Sequence, residues 1–228
     1  MIKDNESIHI AWAHPGTIDN YFAISLLDIV RQFPSMINSY NSIEGTGLLA
    51  KSRNLIVRHF LDDTDADWLF MVDSDQFISV PSFARLLESA DSSQDTVPVY
   101  TGVYYAQNSS TGIESVPLLF RRTKQGLQPY GELPKSDNLI DVDACGAGAL
   151  LIHRSTLLKF RELYGEIYGP DWVWFRDGPN GGNTWISEDL YFCERLEELK
   201  IPLKAHLGAV FPHHKQVWLP LKWKIVKS

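Results

Sequence analysis

Apolar and polar residues fall into alternating blocks along the first half of this chain. "IHIAWAH" (8–14) has the composition of a strand, and "PGT" breaks it. Residues 19–33, "DNYFAISLLDIVRQF", bring Phe22, Leu26, Ile29 and Phe33 to one face, the period of an amphipathic helix, with Asp19 as its cap. Pro34 follows it. "SMINSYNS" (35–42) reads as a short strand, and 49–63, "LAKSRNLIVRHFLDD", as a second helix with Leu55, Ile56 and Phe60 on its apolar side. "ADWLFMVDSD" (66–75) opens with a nearly continuous apolar run, which suits a strand covered on both faces. Pro81 sits where the first turn of a helix tolerates it, in "PSFARLLESA". "VPVYTGVYYAQ" (97–107) is a further strand. Strands alternating with helices predict an α/β domain with a largely parallel sheet.

The second half is less regular. Residues 107–142 contain turns and hairpins, and "CGAGALLIHRSTLLKF" (145–160) passes from a glycine-rich turn through a strand into a helix. Residues 165–186 are rich in Gly, Pro, Asn and Trp, too long and too aromatic for an ordinary connector, and predict a functional loop or lid. "SEDLYFCERLEELK" (187–200) reads as a helix and "IPLKAHLGAVFPHH" (201–214) as a last strand ending in histidines.

The 228 residues predict one domain over 1–228. No apolar run reaches the roughly 20 residues that span a bilayer, and the N-terminus lacks a signal-peptide layout. Cys145 and Cys193 are the only cysteines, so neither a disulfide framework nor a zinc pattern is present, and a reduced, cytoplasmic setting is expected. The net charge of −7 hides an asymmetry: six lysines and no acid follow Glu198, which leaves −13 on residues 1–199. A basic end carrying Trp218 and Trp223 suits an anionic partner or a solvated tail.

Asp73 and Asp75 sit where the buried run ends, and ligands of open α/β sheets gather at the carboxyl ends of strands. In an extended segment, residues i and i+2 face one side, so both carboxylates can hold one hard cation such as Mg²⁺ or Mn²⁺, whose free positions suit a nucleoside diphosphate. The same pair also suits a simple turn.

At "ADWLFMVDSDQFI" the chain resembles the GT-A fold glycosyltransferases, particularly family-2-like enzymes. The resemblance implies a Rossmann-like mixed sheet flanked by helices, with a nucleotide-binding half (1–106) and an acceptor-binding half (107–228). It implies that Asp73, Ser74 and Asp75 meet a divalent metal and the diphosphate of a nucleotide sugar, a UDP-sugar being favoured. Asp75 is then the more direct ligand, and Asp73 reaches the ribose or the metal through water. Arg53 and Asn54 match an Arg-Asn pair that faces the donor nucleotide, and His14, Pro15 and Gly16 match the donor loop after the first strand. Gly146 and Gly148 match small residues near the acceptor, or a tight turn that needs glycine. In "SEDLYFCERL", Asp189, with Glu188 second, matches the carboxylate that deprotonates the acceptor hydroxyl; the same residues suit a helix start. His206, in "HLG", matches a histidine that completes the metal sphere, with His213 and His214 as alternates and Lys215 as a partner for the diphosphate.

The chain lacks the Q-x-x-R-W motif and the membrane segments of processive synthases, so a single transfer is expected, with inversion. Its size is similar to that of bacterial or phage transferases, which would put it in the bacterial or host cytoplasm. The acceptor is a glycan, a protein hydroxyl or a modified DNA base. Two other classes compete. A sugar nucleotidyltransferase needs a glycine-rich loop with a basic residue, and "AHPGTIDN" has one glycine and no such residue. A non-catalytic nucleotide- or carbohydrate-binding protein would share the fold, and its activity would not depend on Asp189.

Overall fold

The run Trp68–Val72 decides the layering. Trp68, Phe70 and Val72 point to one side and Leu69 and Met71 to the other, and all five are buried. Such a strand needs cover on both faces. The computed structural model describes residues 2–3, 5–45, 47–107, 115–136, 138–169, 172–179 and 185–214.

The first half runs β1 (Ile8–His14), α1 (Asn20–Gln32), β2 (Ile37–Glu44), α2 (Leu49–Asp63), β3 (Trp68–Val72), α3 (Val80–Ser89) and β4 (Val99–Val103). Then come the short strands β5 (Tyr105–Gln107), β6 (Ser115–Pro117), β7 (Leu119–Thr123), β8 (Gly126–Pro129), β9 (Leu139–Asp141) and β10 (Ala144–Cys145). The described residues continue with β11 (Ala149–His153), α4 (Arg154–Tyr168), β12 (Gly178–Pro179), β13 (Trp185–Ile186), α5 (Glu188–Glu198) and β14 (Leu203–Val210).

Seven strands form one sheet in the order β2-β1-β3-β11-β4-β14-β9. The pairs β1–β2, β1–β3 and β4–β14 are parallel; β3–β11, β4–β11 and β9–β14 are antiparallel. The sheet is therefore mixed rather than largely parallel. β11 enters between β3 and β4 in the opposite direction, and an apolar run covered on both faces looks the same in either direction. Because β9, β11 and β14 lie beyond residue 107, both halves of the sequence share this sheet.

The even side chains of β3 pack with Phe22, Leu26 and Ile29 of α1 and with Phe83, Leu86 and Leu87 of α3. Leu69 and Met71 pack with Ile56, Val57 and Phe60 of α2, Leu157 and Phe160 of α4, and Phe192 and Leu196 of α5. Asp19 caps α1 by accepting from the Tyr21 N–H at 2.8 Å. At the other end of α2, Arg154 donates to the carbonyls of Phe60, Leu61, Thr64 and Ala66 and lies 4.4 Å from the centre of the Phe60 ring. That one guanidinium satisfies two carbonyls of the last turn of α2, those of Phe60 and Leu61, and ties them to the segment that follows.

Two expected elements differ. The strand expected over 97–107 is split at Tyr104, after which β5 turns away to pair with β6. The loop expected over 165–186 is partly core. α4 takes its first residues, and Val173, Trp174 and Phe175 are at most 1% exposed. Phe175 stacks on Phe192 of α5 at 4.8 Å. Residues 170–171 and 180–184 lie outside the described residues.

Candidate active site

Asp73 continues the alternation of β3 by one step. It follows Leu69 and Met71 onto the α2 side, where Arg53 meets it. The chain then turns, with the Gln76 N–H donating to the Asp73 carbonyl at 3.2 Å. Asp75 is thus placed by a turn, not by the extended i, i+2 geometry expected from the sequence.

The residues after β14 run antiparallel beside this turn. The Phe77 N–H donates to the Pro212 carbonyl and the His214 N–H to the Asp75 carbonyl, each at 2.8 Å, and Gln76 bridges to His213. Gly102 allows the approach, because a Cβ there would lie 2.1 Å from the Phe211 ring. Asp73, Asp75 and His213 consequently bring their ligand atoms within 4.8 Å of one another.

His213 Nε2 lies 2.8 Å from Asp75 Oδ1, and Nδ1 lies 3.2 Å from the Tyr105 carbonyl. A carbonyl only accepts, so Nδ1 carries the proton of that bond and Nε2 is the atom offered to the cluster. Two carboxylates and an imidazole make a donor set that fits Mn²⁺. His206 is not a member of this group. It lies within β14, opposite Gly102 and Leu139, with its Nδ1 accepting from the Gly208 N–H at 3.1 Å. The strand must run past it, to the segment beside residues 75–77, before a histidine reaches the aspartates.

Arg53 is 4% exposed and divides its fork between Asp73 Oδ1 at 3.1 Å and Glu188 Oε1 at 2.5 Å. Burial opposes the guanidinium charge, but the Asp73 and Glu188 carboxylates outweigh it and hold the Arg53 pKa above its ordinary value. Burial likewise pushes the Glu188 carboxyl up, against the pull of Arg53. Asp189, beside it in the first turn of α5, accepts from the Ser187 hydroxyl and from the Leu190 N–H.

Asn54 is turned into the protein. It is 1% exposed, donates to the Ala50 and Phe175 carbonyls and accepts from the N–H groups of Trp174 and Phe175. It staples the buried 173–175 segment to α2, and the sequence carried no sign that this segment was core. Asn54→Ala leaves two buried N–H groups without an acceptor and is expected to cost about 3 kcal/mol, read as a lower melting midpoint by calorimetry.

The glycine turn also has a structural reason. A Cβ on Gly146 would lie 1.9 Å from the Tyr104 hydroxyl, and one on Gly148 would lie 2.8 Å from Asp73 Oδ2 and 2.4 Å from Gln76 Nε2. The Gly148 N–H donates to the Tyr104 hydroxyl at 2.9 Å, and its carbonyl accepts from the Asp73 N–H at 2.9 Å. Tyr104, which sequence reasoning missed, thus backs the site, with its ring edge-on to His213 at 5.8 Å.

A cleft of about 460 Å³ opens at this strand end, lined by Pro15, Asp19, Asp73, Ser74, Asp75 and His213 among others. A neighbouring cleft of about 350 Å³, sharing Ala13, Pro15 and Leu49, includes His14, Gly45 and Gly47. Gly16 has φ +98°, and its N–H donates to His14 Nδ1 at 3.1 Å; this is the tight turn after β1 that glycine permits. His214 pairs with Asp19 at the cleft rim, and that hydrogen bond holds the Asp19 carboxyl below the usual carboxylate range. Lys215 and the tryptophan–lysine end of the chain lie outside the described residues.

No protein-family model and no curated protein sequence matches the chain. Solved structures do. A197 from STIV is 18% identical and superposes with a TM-score of 0.54 over 92% of this chain and 86% of its own. GalNAc-T7, solved with UDP, GalNAc and Mn²⁺, is 11% identical with a TM-score of 0.55 over 92% of this chain. The chain has the GT-A fold. The GT-A sheet here carries the Asp73–Asp75–His213 cluster at the end of β3 and the Glu188–Asp189 pair at the start of α5, with Arg53 joining the two. The match spans 43% of the GalNAc-T7 chain.

Proposed function

We propose that this protein is a divalent-metal-dependent glycosyltransferase that moves one sugar from a nucleotide diphosphate to an acceptor hydroxyl, with inversion. The observation that carries this is the convergence of Asp73, Asp75 and His213 within 4.8 Å in the cleft. Support for a UDP-sugar comes from the GalNAc-T7 neighbour, which holds UDP and Mn²⁺, and the family-2-like reading rests on the order of motifs along the chain.

In this reading Asp73, Asp75 and His213 hold the cation, Asp75 through the carboxylate that faces the imidazole. A bound divalent cation supplies charge neutralisation for the departing diphosphate. The turn after β1 and the two adjoining clefts take the nucleotide. Asp189 accepts the proton of the acceptor hydroxyl, whose oxygen bonds to the anomeric carbon as the carbon–oxygen bond to the diphosphate breaks and its electron pair leaves with the nucleotide. Attack from the side opposite the leaving group inverts the centre. Asp189 is the better base than Glu188, because the Glu188 carboxylate is committed to Arg53. Trp185, 68% exposed and three residues before Glu188, offers a ring face to an acceptor. A glycan, a protein hydroxyl and a modified DNA base are the acceptor classes. Among the described residues no helix is long and apolar enough to cross a membrane; a cytoplasmic, single-transfer enzyme of a bacterium or phage is the setting this reading takes.

The test is a panel of nucleotide sugars with Mn²⁺, scored by thermal stabilisation and donor hydrolysis. One UDP-sugar is expected to stabilise and be hydrolysed, and EDTA to remove both effects. Stabilisation without turnover toward any acceptor class favours a non-catalytic binding protein, and no response to any donor sinks both.

A further inference from the structure

Arg53 lies behind the cation cluster rather than in the cleft. It is 4% exposed and is not among the cleft's lining residues. Its two terminal nitrogens reach carboxylates from separate elements, Asp73 at the end of β3 and Glu188 in the first turn of α5, and Asp189 lies close enough to act on its charge. Asp75 adds a further carboxylate oxygen within 4.8 Å of Asp73. Among the described residues, four acids therefore converge on a region with one buried guanidinium, that of Arg53. Without that cation the carboxylates would repel one another in a partly buried site.

The geometry points to Arg53 as a positioning residue and resident counter-cation: it holds Asp73 and Glu188 in register and tempers the affinity of the cluster for a divalent ion. The inference rests on reading Asp73, Asp75 and His213 as the cation site. One oxygen of Asp73 is engaged by Arg53, and an ion taken up by the same carboxylate must work against the guanidinium charge. In exchange, the site stands assembled before any ion arrives, and the acidic pair on α5 is tied to the metal-bearing strand end by one planar fork. A lysine supplies the charge but not the two-armed geometry.

A role confined to holding the fold predicts that losing Arg53 weakens ion binding. A counter-cation predicts the opposite. Mn²⁺ is titrated calorimetrically into nucleotide-free wild type, Arg53→Met and Arg53→Lys, with circular dichroism to establish that each is folded. Arg53→Met is expected to bind Mn²⁺ about tenfold more tightly, since a positive charge near the ion has gone. Arg53→Lys, which keeps the charge, is expected to stay within about threefold of wild type. The same comparison is made in a Glu188→Gln background, where removing one carboxylate relieves the repulsion that threatens folding of the single variant. There too, adding Arg53→Met is expected to tighten binding about tenfold. Unchanged or weaker Mn²⁺ affinity on loss of Arg53, in either background, overturns the inference and leaves the cation site standing. Failure of wild type to bind Mn²⁺ overturns both.

Discussion

Asp75→Asn is expected to weaken Mn²⁺ binding by more than about a hundredfold, beyond what losing an outer-shell partner costs, while the protein stays folded. The side chain of Asp75 is 36% exposed, and its backbone contacts, including the carbonyl that accepts from His214, survive the substitution. What is lost is a charged oxygen ligand for a hard cation, for which a neutral amide is a poor replacement. His213→Ala should weaken Mn²⁺ as well, and His206→Ala should leave the affinity near wild type, because His213 is the histidine grouped with Asp73 and Asp75 among the described residues. Calorimetric titration with Mn²⁺ reads all three. Wild-type affinity in Asp75→Asn, or loss in His206→Ala with retention in His213→Ala, removes the basis for the site.

Asp189→Asn is expected to lower turnover about a thousandfold, the middle of the range for removing a general base, with nucleotide affinity within about twofold of wild type. The asparagine keeps the shape of the first turn of α5 and can still accept from the Leu190 N–H, so positioning survives and proton transfer does not. Glu188→Gln should cost less, because that carboxylate is engaged with Arg53 rather than offered to an acceptor. Single-turnover rates with a saturating donor, beside nucleotide binding by titration, separate the two effects. A larger loss in Glu188→Gln than in Asp189→Asn would reverse the assignment of the base.

Much of the architecture is legible in the sequence. β1 and α2 have the bounds expected for them, and α1 and α3 differ by a residue or so at their ends, because an apolar face that must be buried repeats with the period of its element. The Asp19 cap was equally legible, since capping is a local bond. The direction of β11 was not, because an apolar run covered on both faces carries no sign of which way it points. The burial of 173–175 was hidden for a different reason. Its glycine- and proline-rich surroundings look like a loop, and the residue that draws it into the core, Asn54, lies in a distant helix.

The candidate site divides in the same way. Two acids ending a buried strand, and an acidic pair opening a helix, are local patterns that composition and order disclose. Which histidine joins them, and whether Arg53 and Asn54 face a ligand or the protein, depend on contacts between segments far apart in the chain. Residue order alone determined that carboxylates stand at the carboxyl end of a buried strand. Tertiary packing alone decided that His213 completes their cluster and that Arg53 binds them together, because the energy of an ion pair depends on distance in space, and one sequence of side chains is compatible with many sets of such distances.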